Sequence, residues 1–218
     1  VRGTLAVIAK APVAGRSKTR LCPPCTPAQA AGLAEAALRD TLAAVRATPC
    51  ARRVLVLDGD PGAWLPPGFE LVAQRGDGLD ERLACAFDDL DGEAFLVGMD
   101  TPQITPTLLG AGLDALADHD AALGPALDGG YWGIGLGPRA CRGDLLRNVF
   151  VGVPMSEEDT GAQQLRRLRV LGLSVDRLPA LRDVDHIEDA HAVAAQIPGS
   201  RFAAAVAALD DRHGRAAA

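Results

Sequence analysis

The stretch TLAVIAKAPVAGRSKTRL, Thr4–Leu21, decides how this chain is read. Thr4 to Ala9 is a short, apolar, β-rich run and reads as a first strand. Pro12, Gly15 and four basic residues, Lys10, Arg16, Lys18 and Arg20, then break the pattern, so Lys10–Arg20 reads as a loop. Glycine lets backbone amides approach a ligand closely. Lysine brings a mobile point charge, and arginine a planar fork that matches phosphate oxygens. The loop lacks the G-x-x-x-x-G-K-[ST] pattern of a Walker A motif. Of the 22 lysines and arginines only two are lysines, Lys10 and Lys18, and both fall here. A solvated basic face is the ordinary fate of a charge run. The place of this one, directly after a strand, favours an anion-binding loop.

Strand and helix patterns alternate along the rest of the chain. Thr26 before Pro27 makes an N-cap and first turn for a helix to about Ala47. Strands are expected at Arg53–Leu57, Phe69–Ala73 and Ala94–Val97, with a helix over Leu79–Leu90 whose apolar residues Leu79, Leu83, Phe87 and Leu90 share one face. Thr105-Pro106 opens a helix to about Ala117. Two strands, Ala121–Leu127 and Tyr131–Leu136, flank Asp128-Gly129-Gly130. Ser156 with Asp159 starts a helix to about Leu171; Ser174–Leu178 is a strand; Asp185–Gln196 and Ser200–Arg212 are helices. The fold class is α/β: a single domain over residues 1–213, with a mixed, mostly parallel sheet and helices on both faces, and a frayed tail at 214–218. Ligands of such sheets sit beyond the carboxyl ends of the strands. That rule selects Lys10–Arg20, Gln74–Arg82, Gly98–Pro102, Asp128–Tyr131 and Arg182–Asp185.

Composition narrows the classes. A length of 218 residues suits one well-cored domain, and 4% aromatics leaves the core to alanine, leucine and valine. A net charge of -6 without an extended basic face argues against nucleic acid, while a small anion needs only a local basic site. No apolar run approaches the ~18 residues of a membrane span. The start has no signal-peptide pattern, so no membrane partner and a cytoplasmic location are expected. Cys22 and Cys25 form a C-x-x-C around two prolines, but no second ligand pair completes a zinc site, so free thiols are expected.

The carboxylates supply the complementary chemistry. Asp100 follows the fourth expected strand, where it can hold Mg²⁺ or Mn²⁺ against phosphates or simply cap a turn. Asp183 and Asp185 in Arg-Asp-Val-Asp lie on one side of an extended segment. Asp185 is the candidate second ligand, or else a helix cap with Glu188. Asp128-Gly129-Gly130-Tyr131 holds the only tyrosine, and either admits an acceptor or sugar to the backbone or forms a tight hairpin with its aromatics in the core.

These segments resemble the uncharacterised bacterial glycosyltransferase-A-like (GT-A) domains of the nucleotide-diphospho-sugar transferase superfamily. The resemblance runs through Ile8–Leu21, Gln74–Arg82, Gly98–Pro102, Gly124–Trp132, Val153–Ser156 and Leu181–Asp185, nearly the whole chain. The basic loop is also similar to that of 2-phospholactate guanylyltransferases and, more distantly, molybdenum-cofactor guanylyltransferases. The resemblance implies a Rossmann-like GT-A fold. It implies nucleotide contacts from Lys10, Gly15, Arg16, Lys18, Arg20, Arg75 and Gly76, and an acceptor or sugar near Asp128, Gly129, Gly130 and Tyr131. It implies metal at Asp100 and Asp185, with Lys18, Arg20 and Asp100 the catalytic set. His186 stands where the family commonly has threonine.

Three functions follow. In nucleotidyl transfer, a small phosphorylated or anionic acceptor attacks the α-phosphorus of an NTP, and Lys18, Arg20 and the metal stabilise the developing charge. In glycosyl transfer from a nucleotide sugar the metal holds the departing diphosphate. The third is a nucleotide-binding module without catalysis. The late position of the Asp183–Asp185 pair favours nucleotidyl transfer.

Overall fold

The computed structural model describes residues 3–216. Seven strands form one sheet: β1 (Thr4–Lys10), β2 (Arg52–Asp58), β3 (Glu70–Ala73), β4 (Ala94–Val97), β5 (Ala121–Pro125), β6 (Tyr131–Leu136) and β7 (Val175–Arg177). Their spatial order is β3-β2-β1-β4-β6-β5-β7. β6 runs antiparallel to both its neighbours, and the remaining pairs are parallel. The helices are α1 (Pro27–Ala47), α2 (Leu79–Leu90), α3 (Pro106–Ala115), α4 (Gly143–Phe150), α5 (Thr160–Val170), α6 (Ile187–Gln196) and α7 (Arg201–Ala216). This is the mixed, mostly parallel α/β sheet that the alternation of patterns predicts.

Local chemistry explains the helix starts. The Thr26 hydroxyl accepts from Gln29 N at 3.3 Å while Thr26 N donates back to the Gln29 side chain at 2.7 Å, so two orphan amides of α1 are satisfied reciprocally. Thr105 caps α3 by accepting from Leu108 N at 3.2 Å.

Strand pleating divides the core. Leu5, Val7 and Ala9 of β1 meet Leu38, Leu42 and Val45 of α1 and Leu109 and Leu113 of α3 on one face. Ala6 and Ile8 turn to the other, among Leu83 and Phe87 of α2, Phe150 of α4 and Leu168 of α5. α6 and α7 do not touch the sheet core; they pack on the outer side of α1 through Ala190, Val193, Phe202 and Val206. Cys25 is buried in that third cluster, and all five cysteines are free thiols. Among the described residues, no helix is long and apolar enough to cross a membrane.

Several boundaries differ from the sequence reading for identifiable reasons. α4 is absent from it: eight residues opening on Gly143, which has φ 51, give too short a periodic window. Ser156 has φ 62, a left-handed backbone that cannot start a right-handed helix, so α5 begins at Thr160. β5 stops at Pro125, where the register slips and proline offers no N–H to the ladder. α7 runs through Gly214 to Ala216, past the start of the expected tail; residues 217–218 lie outside the described residues.

The few aromatics are also used more centrally than composition suggests. Phe87, Phe95, Phe150 and Phe202 are all fully buried. Phe95 needs glycines around it: a Cβ on Gly112, Gly133 or Gly135 would come within 2.9 Å of its ring. Gly135→Ala, with its methyl 2.7 Å from the ring, therefore overpacks this site and costs about 1–3 kcal/mol. In urea titration the expected result is a lower midpoint with an unchanged slope. Adding Phe95→Leu should make the double variant lose less than the sum of the singles.

Candidate active site

β1 leads to β2 on one side, while β4 lies against β1 on the other, so the chain reverses its winding between β1 and β4. At such a switch point the loops beyond the carboxyl ends diverge and leave a crevice. A cleft of about 1130 Å³ opens there, lined by Lys10, Arg16, Lys18, Arg20, Asp100, Asp128, Asp183 and Asp185 among others.

The basic loop is folded by its own polar groups. The Ser17 hydroxyl donates to Ala11 O at 3.0 Å and accepts from Val13 N at 3.1 Å. Gly15, at φ 78, turns the tip without itself lining the cleft. Lys18 has φ 50, uncommon for a residue with a side chain. That side chain turns under the loop toward β4. Its Nζ lies 2.8 Å from Asp100 Oδ1 and 3.2 Å from Asp185 Oδ1, and also donates to Val184 O. The side chain is only 10% exposed. Burial would lower the pKa of Lys18, but the two carboxylates more than offset it and hold the ammonium above its ordinary value. Arg20 Nη1 reaches Asp185 Oδ2 at 2.7 Å from an exposed position, a pair that orients more than it stabilises. Lys10 and Arg16 face the cleft and form no ion pair among the described residues.

Two staples bring the aspartate segments together. Val184 N donates to Asp100 O at 2.9 Å, and Gln103 Nε2 donates to Arg182 O at 2.5 Å. A third contact sets the remaining carboxylates. Ala126 and Leu181 pair as a parallel bridge, with Leu127 N donating to Leu181 O at 2.9 Å. Asp128 and Asp183 each lie two residues beyond that bridge and emerge side by side. One carboxylate oxygen from each of Asp128, Asp183 and Asp185 falls within 4.8 Å of the others. Burial, then the charges of Asp128 and Asp185, push Asp183 up to about 7. The metal pair expected from sequence was Asp100 and Asp185. In the structure Asp185 belongs to the three-carboxylate group and also meets Asp100 across the Lys18 ammonium.

The other predicted residues divide. Gly130 and Tyr131 line the cleft, with Gly130 N donating to Asp128 Oδ1 at 2.8 Å. Gly129 serves packing: at φ 96, a Cβ on it would lie 1.6 Å from Glu158 O, and its own carbonyl accepts from Gly161 N at 2.8 Å. The Tyr131 hydroxyl points at Met155 Sδ, 3.9 Å away, and burial pushes its pKa up. Trp132 belongs to the core, donating to Pro179 O at 3.0 Å. Arg75 and Gly76 are not brought to the cleft. Arg75 pairs with Asp89 of α2 at 2.7 Å, and Gln74, Asp77 and Arg82 line the wall instead. α6 is capped at His186, and Asp189 rather than Glu188 reaches back, accepting from His186 N at 2.9 Å and from Arg182 at 2.9 Å. Sequence reasoning missed Gln103 and Asp189, which hold the Arg182–Asp185 segment; a polar residue just past an aspartate turn was their only signal.

The two glycines of the Asp128 turn should therefore respond differently. Gly129→Ala forces backbone apart and costs about 2–3 kcal/mol, whereas Gly130→Ala costs under about 1 kcal/mol. Thermal unfolding of the two variants compares them directly, and equal losses would contradict the packing role of Gly129.

Comparison with known proteins adds relatives to this geometry. Residues 41–157 match the model of a family described as an uncharacterized protein conserved in bacteria, DUF2064. No curated protein matches the chain. A crystal structure from Desulfovibrio desulfuricans G20, assigned provisionally to the nucleotide-diphospho-sugar transferases, is 29% identical, with 97% of this chain and 95% of that one covered and a TM-score of 0.82. Rv0371c from Mycobacterium tuberculosis H37Rv, solved in complex with manganese, is 20% identical over 88% of this chain and 98% of that one, with a TM-score of 0.52. The 2-C-methyl-D-erythritol 4-phosphate cytidylyltransferase from Thermus thermophilus is 17% identical over 95% and 98%, with a TM-score of 0.55. At these lower identities the likeness shows a shared fold.

Proposed function

The chain belongs to the bacterial family DUF2064, and from that premise we propose that it is a metal-dependent, nucleotide-using transferase whose reaction is nucleotidyl transfer from an NTP to a small acceptor. The observation that carries this reading is the position of Asp185. Its two oxygens face Lys18 and Arg20, and it also belongs to a three-carboxylate group. Cations for phosphate and carboxylates for a metal thus meet at one residue, at the switch point where nucleotides bind in open α/β sheets.

The residues present fit a divalent ion. Asp185 belongs to two hard oxygen sets of the kind Mg²⁺ and Mn²⁺ prefer, one with Asp128 and Asp183 within 4.8 Å and one with Asp100 and the Val184 carbonyl around Lys18. Burial first, and then the charges of Asp128 and Asp185, push Asp183 up, an environment that a bound cation would relieve. The manganese complex of a fold relative agrees with this reading. When bound, the ion neutralises phosphate oxygens and orients them. The chain does the rest by position and charge. Lys10, Arg16, Lys18 and Arg20 hold the polyphosphate, and an acceptor enters past Asp128, Gly130 and Tyr131. An acceptor oxygen forms a bond to the α-phosphorus as the bond to the bridging oxygen breaks, and pyrophosphate leaves. No protein nucleophile is needed.

Glycosyl transfer from a nucleotide-diphospho-sugar is the second reading, favoured by the name of the Desulfovibrio desulfuricans G20 relative. The two differ in their products. Incubation with each NTP, Mg²⁺ and a pool of small acceptors should release pyrophosphate, and Asp185→Asn should lower kcat/KM by about 10²-fold or more. Release of free nucleoside diphosphate from a nucleotide sugar, with no pyrophosphate from any NTP, would overturn the first reading in favour of the second.

A further inference from the structure

The Lys18 ammonium sits in a cage of oxygens. Asp100 Oδ1 and Asp185 Oδ1 are both turned onto Nζ, at 2.8 and 3.2 Å, and Val184 O accepts from the same nitrogen. Two carboxylate oxygens and a backbone carbonyl around one cation are the kind of donors that hold a hard divalent ion. A divalent ion placed between these two carboxylates would meet the ammonium as a like charge and compete with it for the same counter-charges. The Lys18 side chain is held close, 10% exposed, while Asp100 and Asp185 keep 44% and 28% of theirs open to the cleft. Lys10 and Arg16 line the same cleft and form no ion pair among the described residues.

We infer that Lys18 is a built-in place-holder for the metal: a divalent ion entering at Asp100 and Asp185 displaces its ammonium, which swings into the cleft to hold the nucleotide phosphates. The displaced ammonium loses two counter-charges and regains them only from an anion in the cleft. Metal and nucleotide then strengthen each other's binding through one side chain, and linkage makes the effect reciprocal. Without metal the cage keeps the lysine from acting as a free anion trap. The inference rests on the metal- and nucleotide-dependent reading above. Its test, however, uses the metal alone, so a failure of turnover and a failure of the switch are separately visible.

Having only two lysines makes the test internal to the native chain. Lys10 is exposed and serves as the reference amine for Lys18. Brief acetic anhydride labelling, read by peptide mass spectrometry, should modify Lys10 readily and Lys18 slowly in metal-free protein. Mg²⁺ alone should raise Lys18 labelling relative to Lys10 by about tenfold, and an NTP added with Mg²⁺ should lower the absolute labelling of both lysines. Lys18 labelling indifferent to Mg²⁺ would overturn the inference. A second measurement follows Mn²⁺ binding by electron paramagnetic resonance without nucleotide. Lys18→Met should bind Mn²⁺ about tenfold tighter than the native chain, yet bind NTP more weakly when Mn²⁺ is present. Arg20→Met removes a charge that is also paired to Asp185, and should shift Mn²⁺ affinity much less. An equal gain in the two variants, or a loss in Lys18→Met, would show a general field effect or a structural lysine and end the proposal.

Discussion

Taking the Lys18 ammonium out of water costs several kcal/mol, and the carboxylates of Asp100 and Asp185, themselves partly exposed, offset that cost only when the geometry is close. The Lys18, Asp100 and Asp185 cluster meets those terms with two short ion pairs and a backbone carbonyl. Much of the upper surface of the sheet is arranged to deliver them. The Ser17 hydroxyl shapes the loop, the amide of Val184 ties to the carbonyl of Asp100, and Gln103 ties to Arg182. Removing both carboxylates would leave the buried Lys18 charge uncompensated, which is far costlier than losing a surface pair.

The cluster also organises charge across the cleft. Lys10, Arg16, Lys18 and Arg20 come from the loop after β1. Asp128 and Asp183 come from segments beyond β5 and β7, and Asp185 joins the two groups. A polyphosphate bound across this boundary can meet cations from the loop and an ion held by the carboxylates. That division is the electrostatic pattern a phosphate-transferring site requires, since its transition state spreads charge over phosphate oxygens.

How much of this was legible in the sequence depended on whether the signal was local. Strand and helix patterns from β1 to α3 are strong because hydrophobic period and caps such as Thr26 and Thr105 are read within a few residues. The basic loop stood out by its two lysines, and Asp100 by its place after a strand. The pairing of Lys18 with both Asp100 and Asp185 agrees with the expectation that these residues converge. Asp128 was not expected beside Asp183, because a single bridge between Ala126 and Leu181 sets their proximity and leaves no periodic mark. The family resemblance implied Arg75 as a nucleotide contact, but its guanidinium pairs with Asp89 of α2, a contact across the loop that no local pattern marks. Gly129 illustrates the same limit: a glycine that admits a ligand and one that admits a neighbouring backbone are the same letter.

Anomalous diffraction from crystals grown with Mn²⁺ and a non-hydrolysable NTP tests the central claim most directly. The expected map has a manganese peak at Asp185, beside the phosphate oxygens, and Lys18 Nζ on that same polyphosphate. A nucleotide seated at another edge of the sheet, or manganese away from Asp185 with Lys18 still on Asp100, would contradict it.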